Sequence, residues 1–176
     1  MKEVLVEVLG PFIAPFSGAM VIILREGGTS RVCGIEVGGL EGQMISVYKC
    51  GCKTRRPMTH ELAAALVKDG GGVIEKVVVT EFIDEIYRAR IFTKWPDGKT
   101  TETDSRPSDA VALAFKLDCP VYVNAEFLME EPELSAAADH GIKMADSIYN
   151  EPGNIKDEDK LKRWLESLNP DSIPKA

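Results

Sequence analysis

The chain has 176 residues, 44% of them hydrophobic and 28% charged, which is the make-up of one ordinary globular domain with room for an appendage. A chain of this length buries roughly 70% of its unfolded surface and needs neither metal nor disulfide to fold. Apolar runs such as Ala19–Leu24 are far too short to cross a bilayer, and the net charge of −7 argues against a generally basic, nonspecific nucleic-acid binder.

The charge is uneven. Residues 1–129 hold 17 acidic and 15 basic side chains, whereas residues 130–176 hold 11 and 6. A nucleic-acid site must therefore be a local basic patch or rely on bound cations. The start, MKEVLVEVLG, alternates Val and Leu with Glu, which reads as a strand and not as a signal peptide; a cytoplasmic protein is expected. Four cysteines in such a chain do not suggest disulfides, and none has C-x-x-C spacing. Cys33, Cys50, Cys52 and Cys119 are expected to be free thiols, buried or half-buried.

In chain order, Lys2–Leu9 is predicted as a strand that Gly10-Pro11 and Pro15 interrupt. Met20–Arg25 and Arg31–Val37 read as a hairpin turning at Gly27-Gly28. Leu40–Lys49 has helical spacing. Lys53–Pro57 is a basic loop, and Thr59 is the expected N-cap of a second helix. That helix should turn Leu62, Ala65 and Leu66 inward and stop at Gly70-Gly71-Gly72. Val73–Phe82 and Ile86–Trp95 form a hairpin around Asp84-Glu85, and Lys99–Asp104 returns as a third strand after the Pro96-Asp97-Gly98 turn. Pro107 suits the first position of a helix that runs to Asp118. Pro120–Val123 is a short buried strand, and Asn124 caps a short helix through Met129.

Residues 135–154 read as a linker, with His140 on its surface. Residues 155–176 follow, with an amphipathic helix whose stripe is Leu161, Trp164, Leu165 and Leu168. The division is thus 1–134, 135–154 and 155–176. Strands come in consecutive hairpins with helices between the groups, so the fold class is α+β: a mixed, largely antiparallel sheet with packed helices. No internal repeat is apparent. The stripe should dock on its own domain or on a second subunit; a homo-oligomer, most simply a dimer, is the default expectation.

The richest stretch for chemistry is Asp104-Ser-Arg-Pro-Ser-Asp109. Glu102 and Asp104 are two apart on a strand and face one side. Asp109 lies in the first turn of the next helix. If the three carboxylates converge, Asp104 and Asp109 are metal ligands for Mg2+ or Mn2+, Glu102 is a ligand or base, and Arg106 binds a phosphate oxygen. That set fits phosphodiester hydrolysis. The same residues also serve as turn and cap: Asp104 in the turn, Asp109 reaching back to the helix start, Arg106 pairing with both. A second candidate is the loop before Glu61, where Arg55 and Arg56 precede a helix N-terminus, a site for anions, and His60 is the candidate proton shuttle.

Three segments, "RPMTHELAAALV", "VIEKVVVTEFIDEIYRARIF" and "DSRPSDAVALAFKLDCPVYV", come in an order and spacing that resemble the bifunctional nuclease domain family over about residues 1–130. The tail "LKRWLESLNPDSI" is similar to the C-terminal segment of bacterial members. The resemblance implies an α+β domain acting on both DNA and RNA. One departure stands out: the loop "YKCGCKTRRPMTH" carries two cysteines where such domains usually have a plainer loop, which brings metal or redox chemistry into view there. Two functions follow. One is a divalent-metal-dependent nuclease; the other is a non-catalytic binding or assembly module in which the Asp104–Asp109 motif is structural.

Overall fold

The structure is a computed structural model, and it describes residues 1–14 and 18–130. The expected linker, the tail helix with its Leu161, Trp164, Leu165 and Leu168 stripe, and His140 lie outside the described residues.

Strands β1 (Glu3–Ile13), β2 (Met20–Glu26) and β3 (Arg31–Val37) form an antiparallel meander. In β1 the period of two is plain: Val4, Val6 and Val8 are buried, and the residues between them are not. The strand does not stop at Gly10-Pro11, as expected, but runs on to Ile13. The β1–β2 register shifts between Leu9 and Phe12, so the Gly-Pro pair is absorbed as an irregularity, where proline's missing N–H is tolerated.

Helices α1 (Gly39–Lys49) and α2 (Thr59–Asp69) come next, then a second antiparallel meander of β4 (Val73–Ile83), β5 (Ile86–Lys94) and β6 (Thr100–Ser105). The β4–β5 turn is at Asp84-Glu85, both at positive φ (52° and 62°), the conformation that matches strand twist in a two-residue hairpin. Helix α3 (Pro107–Leu117) has Pro107 at its first position, as its fixed φ predicts. Strand β7 (Val121–Asn124) slots between the two meanders, antiparallel to β1 and parallel to β4. The Asn124 side chain accepts from the Glu126 N–H, but the turn it caps is only Ala125–Phe127; Met129–Glu130 then pairs with β3 as β8. Among the described residues the sheet order is β6-β5-β4-β7-β1-β2-β3-β8, mixed and largely antiparallel. The fold is α+β.

One face of the sheet holds the helices. Ile22, Leu24 and Ile35 from the first meander meet Val77, Val79, Ala89 and Ile91 from the second, under Ile45 of α1 and Val111 of α3. The sheet curls around this core far enough for the Cys33 thiol of β3 to donate to the Tyr87 hydroxyl of β5 at 3.5 Å.

Helix α2 is rotated away from the sequence expectation. Leu62 and Leu66 are 54% and 64% exposed, and Ala65 is exposed with them. His60, Ala63, Ala64 and Val67 face inward instead. They also follow helical spacing, and two of them are small enough to bring α2 close to α3. The hydrogen bond from His60 to α3, described below, holds that rotation. Met58, not Thr59, is the N-cap. The Glu61 carboxylate satisfies the Met58 N–H at 2.9 Å, as an acid at the third helical position does.

The cysteines divide into two kinds. Cys33 and Cys119 are free thiols, as expected. Cys50 and Cys52 are not: they are bridged, with their Cα atoms 5.4 Å apart, inside the normal disulfide range. The turn that ends α1 folds the chain back on itself and brings the two side chains together.

Candidate functional site

The N-termini of α1, α2 and α3 gather around the Arg106–Asp109 pair. Arg106 is the N-cap of α3 and carries extended backbone angles out of β6. Asp109 is the third residue of α3, Glu41 the third of α1, and His60 the second of α2. Arg106 Nε donates to Asp109 Oδ2 at 2.8 Å and Nη2 donates to Oδ1 at 3.2 Å, a bidentate pair. Its Nη1 meets Glu41 Oε1 at 2.9 Å. His60 Nε2 lies 3.0 Å from Asp109 Oδ1. An ionised carboxylate only accepts, so Nε2 carries the proton. The imidazole meets the Tyr48 ring edge-on at 5.8 Å, and its Nδ1 is buried with no partner among the described residues.

The electrostatics follow from this geometry. Burial pushes the Asp109 carboxyl up, but the hydrogen bonds and charges of Arg106 and His60 outweigh it, and the net shift is downward. Asp109 in turn holds the Arg106 guanidinium above its usual range. Glu61 is pulled down to about 2 by Lys116, with the Met58 N–H and the Thr54 hydroxyl adding to it. Thr54 donates to Glu61 at 2.8 Å, which ties the basic loop to the start of α2.

Arg106 is 56% exposed, so this positive group at converging helix N-termini opens to solvent. Arg55 and Arg56 are exposed in the loop that leads into α2, five and four residues before His60. Arg106 itself is charge-compensated by Asp109 and Glu41, so the uncompensated positive charge on this side comes from the loop. His60 is mostly buried and committed to Asp109, so it positions that carboxylate; with Nδ1 enclosed, it does not present a free nitrogen to solvent.

Glu102 and Asp104 are elsewhere. Asp104 stands opposite Arg90 in the β5–β6 register, and Glu102 opposite Phe92. Paired residues share a face, and Arg90 and Phe92 alternate with the core residues Ala89 and Ile91. Both acids therefore point away from the helices, whereas Asp109 lies on the helical side. The structure does not bring Glu102, Asp104 and Asp109 together. Among the described residues no three His, Cys, Asp or Glu side chains form a metal-holding group. The donor set present does not fit the expected three-carboxylate Mg2+ or Mn2+ site.

Sequence reasoning missed Glu41. A signal was there: an acid follows the Gly38-Gly39 break at the same offset as Asp109 follows Arg106. It also missed the partnership of His60 with Asp109, since 49 residues separate them and only the α2–α3 packing joins them.

The chain belongs to the bifunctional nuclease domain family, whose model matches residues 22–135 and so encloses every member of the cluster. It is also similar over nearly its full length to the uncharacterized proteins MT1877 and Rv1829 of Mycobacterium tuberculosis (strains CDC 1551 / Oshkosh and ATCC 25618 / H37Rv). Each is 28% identical over 171 residues, covering 96% of this chain and 96% of the relative. Among the described residues no helix is long and apolar enough to cross a membrane.

Proposed function

We propose that this chain is a nuclease that hydrolyses phosphodiester bonds in both DNA and RNA. The observation that carries the reading is the family match, which spans the whole cluster of Glu41, His60, Arg106 and Asp109. Arg106, Arg55 and Arg56 are the phosphate-binding groups. Asp109 is the carboxylate at the reacting centre, and His60 positions it. Divalent-metal dependence, on Mg2+ or Mn2+, belongs to the same proposal, without a ligand assigned in the cluster, where Arg106 and His60 occupy both Asp109 oxygens. A cytoplasmic setting and a two-fold homo-oligomer complete it.

A second reading, a non-catalytic binding or assembly module, has its own observation. Both Asp109 oxygens are taken by Arg106 and His60, and Ser105 donates to the Arg106 carbonyl at 3.0 Å, so much of the motif also serves as architecture. Cleavage of labelled single- and double-stranded DNA and RNA by rigorously purified protein, with and without Mg2+ or Mn2+, decides between them. The nuclease reading expects metal-stimulated cleavage of both nucleic acids, co-eluting with the protein. Binding without cleavage under every condition would leave the module.

A further inference from the structure

Helices α1 and α2 end in the same backbone motif with different side chains on it. At the end of α1, Gly51 N–H bonds the Tyr48 carbonyl at 3.0 Å, Cys52 N–H bonds the Val47 carbonyl at 3.1 Å, and Gly51 is left-handed with φ of 66°. At the end of α2, Gly71 N–H bonds the Lys68 carbonyl at 2.8 Å, Gly72 N–H bonds the Val67 carbonyl at 2.9 Å, and Gly71 has φ of 80°. Both are Schellman turns, and the central glycine is all that such a turn demands.

The flanking positions differ for a physical reason at only one of the two ends. Beside α2, a Cβ at residue 72 would lie 2.9 Å from both the Trp95 ring and the Val67 side chain, so glycine is required by crowding. Beside α1, the flanking residues are Cys50, half-buried, and Cys52, exposed, with nothing that calls for a bridge to end the helix. The turn also holds the two sulfurs near each other by backbone hydrogen bonds that do not depend on the S–S bond.

We propose that Cys50 and Cys52 form a thiol–disulfide exchange site whose co-substrate is an anionic low-molecular-weight thiol. The co-substrate's thiolate attacks the exposed Cys52 sulfur. The Cys50–Cys52 bond breaks, a mixed disulfide forms on Cys52, and the electron pair leaves on Cys50, which takes up a proton. A second thiolate attacks the co-substrate's own sulfur in that mixed disulfide and releases Cys52 as a thiolate. The chain gains two electrons and two protons as its disulfide becomes two thiols, and two co-substrate thiols become one disulfide.

Three features of the molecule support this. Lys49, Lys53, Arg55 and Arg56 are exposed and lie within four residues of the pair along the chain, a concentration of positive charge that favours thiolates and attracts an anionic thiol. It opposes the negative end of α1, which would disfavour a thiolate on Cys50. The backbone turn keeps the reduced thiols close, so reclosure competes with release of the co-substrate. The other two cysteines are of the opposite kind: burial pushes the thiols of Cys33 and Cys119 up to about 11, away from the thiolate form.

The test uses the full-length native protein in buffers of reduced and oxidised glutathione at neutral pH, quenched by acid, alkylated and weighed. The proposal expects two alkylated cysteines in the reduced buffer and the bridge restored in the oxidised one, with the modified pair mapped to Cys50 and Cys52. It also expects the Cys50→Ser variant to trap one glutathione on Cys52, and the neutral thiol 2-mercaptoethanol to react more slowly than glutathione at equal thiolate concentration. A bridge that survives reduced glutathione until the protein unfolds would overturn the proposal. So would two thiols that stay unbridged in oxidised glutathione. Equal rates with the neutral thiol would overturn the anionic class of co-substrate.

Discussion

Asp104 and Asp109 sit at opposite ends of one short turn, and their surroundings have little in common. Asp109, on the helical side, is gripped by Arg106 through two hydrogen bonds and by His60 through a third. Asp104, on the outer side of the edge strand β6, is exposed and stands across from Arg90. The difference arises from two periodicities meeting. Strand alternation decides that Asp104 and Glu102 face outward with Arg90 and Phe92. The helix start decides that an acid at the third position turns back toward its own N-cap. A cluster of acids in sequence is thus split in space by the sheet on which it is built.

The largest stability effect that would sharpen this comparison is expected from Asp109→Asn. It weakens two guanidinium hydrogen bonds and the tie to His60, and hydrogen bonds to charged groups contribute about 1.5–3 kcal/mol. Arg106 is more than half exposed, so the lower end of that range is expected, as a fall in the melting midpoint at neutral pH. A variant as stable as the parent would show that the grip on Asp109 contributes nothing.

Acid should act on the same side of the molecule. The Glu61 carboxyl is depressed to about 2 in the folded chain, below the ordinary carboxylate range of the unfolded one. The unfolded chain then binds the proton first as pH falls. The stability this group contributes is present above pH about 4.5 and is lost progressively as pH falls through about 2. Asp109 is shifted the same way and adds to the effect. Denaturant unfolding of the parent and of Glu61→Gln, compared between pH 6 and pH 2.5, should show the parent's stability falling more steeply. Parallel curves would contradict the assignment.

Smaller still is the expected change for Arg55→Ala with Arg56→Ala. Both side chains are exposed, so stability should change by less than about 0.5 kcal/mol. Nucleic-acid affinity should nevertheless weaken at every sequence, with a flatter salt dependence. An unchanged affinity and salt slope would remove the loop from the site. The smallest stability effect is expected from Asp104→Asn, within about 0.5 kcal/mol of the parent, because its side chain lies on the solvent side of an edge strand.

What the sequence made legible was whatever local physics decides. The alternation of Val4, Val6 and Val8, the Asp84-Glu85 hairpin turn and Pro107 at the head of α3 are all one-segment signals, and all are found in the structure. The illegible parts depend on distant partners. The inward face of α2 depends on His60 meeting Asp109, so the larger apolar residues Leu62 and Leu66 misled the reading toward the wrong face. Strand β7 enters between β4 and β1 because both meanders leave an edge open there, which no local pattern announces. The Cys50–Cys52 bridge needs the left-handed Gly51 turn, and only the helix end creates it. For the candidate site, Arg106 and Asp109 were recognisable from their motif, whereas their separation from Glu102 and Asp104 was not.

The most direct test of the proposed nuclease site is the cleavage rate of Asp109→Asn beside that of Asp104→Asn, measured on the same labelled DNA and RNA at a temperature where both variants are folded. With Asp109 at the reacting centre, its variant should lose roughly 10²–10³ in rate, the usual worth of an electrostatic contact there, while the Asp104 variant stays close to the parent. Full activity in the folded Asp109 variant, or loss confined to the Asp104 variant, would contradict the account.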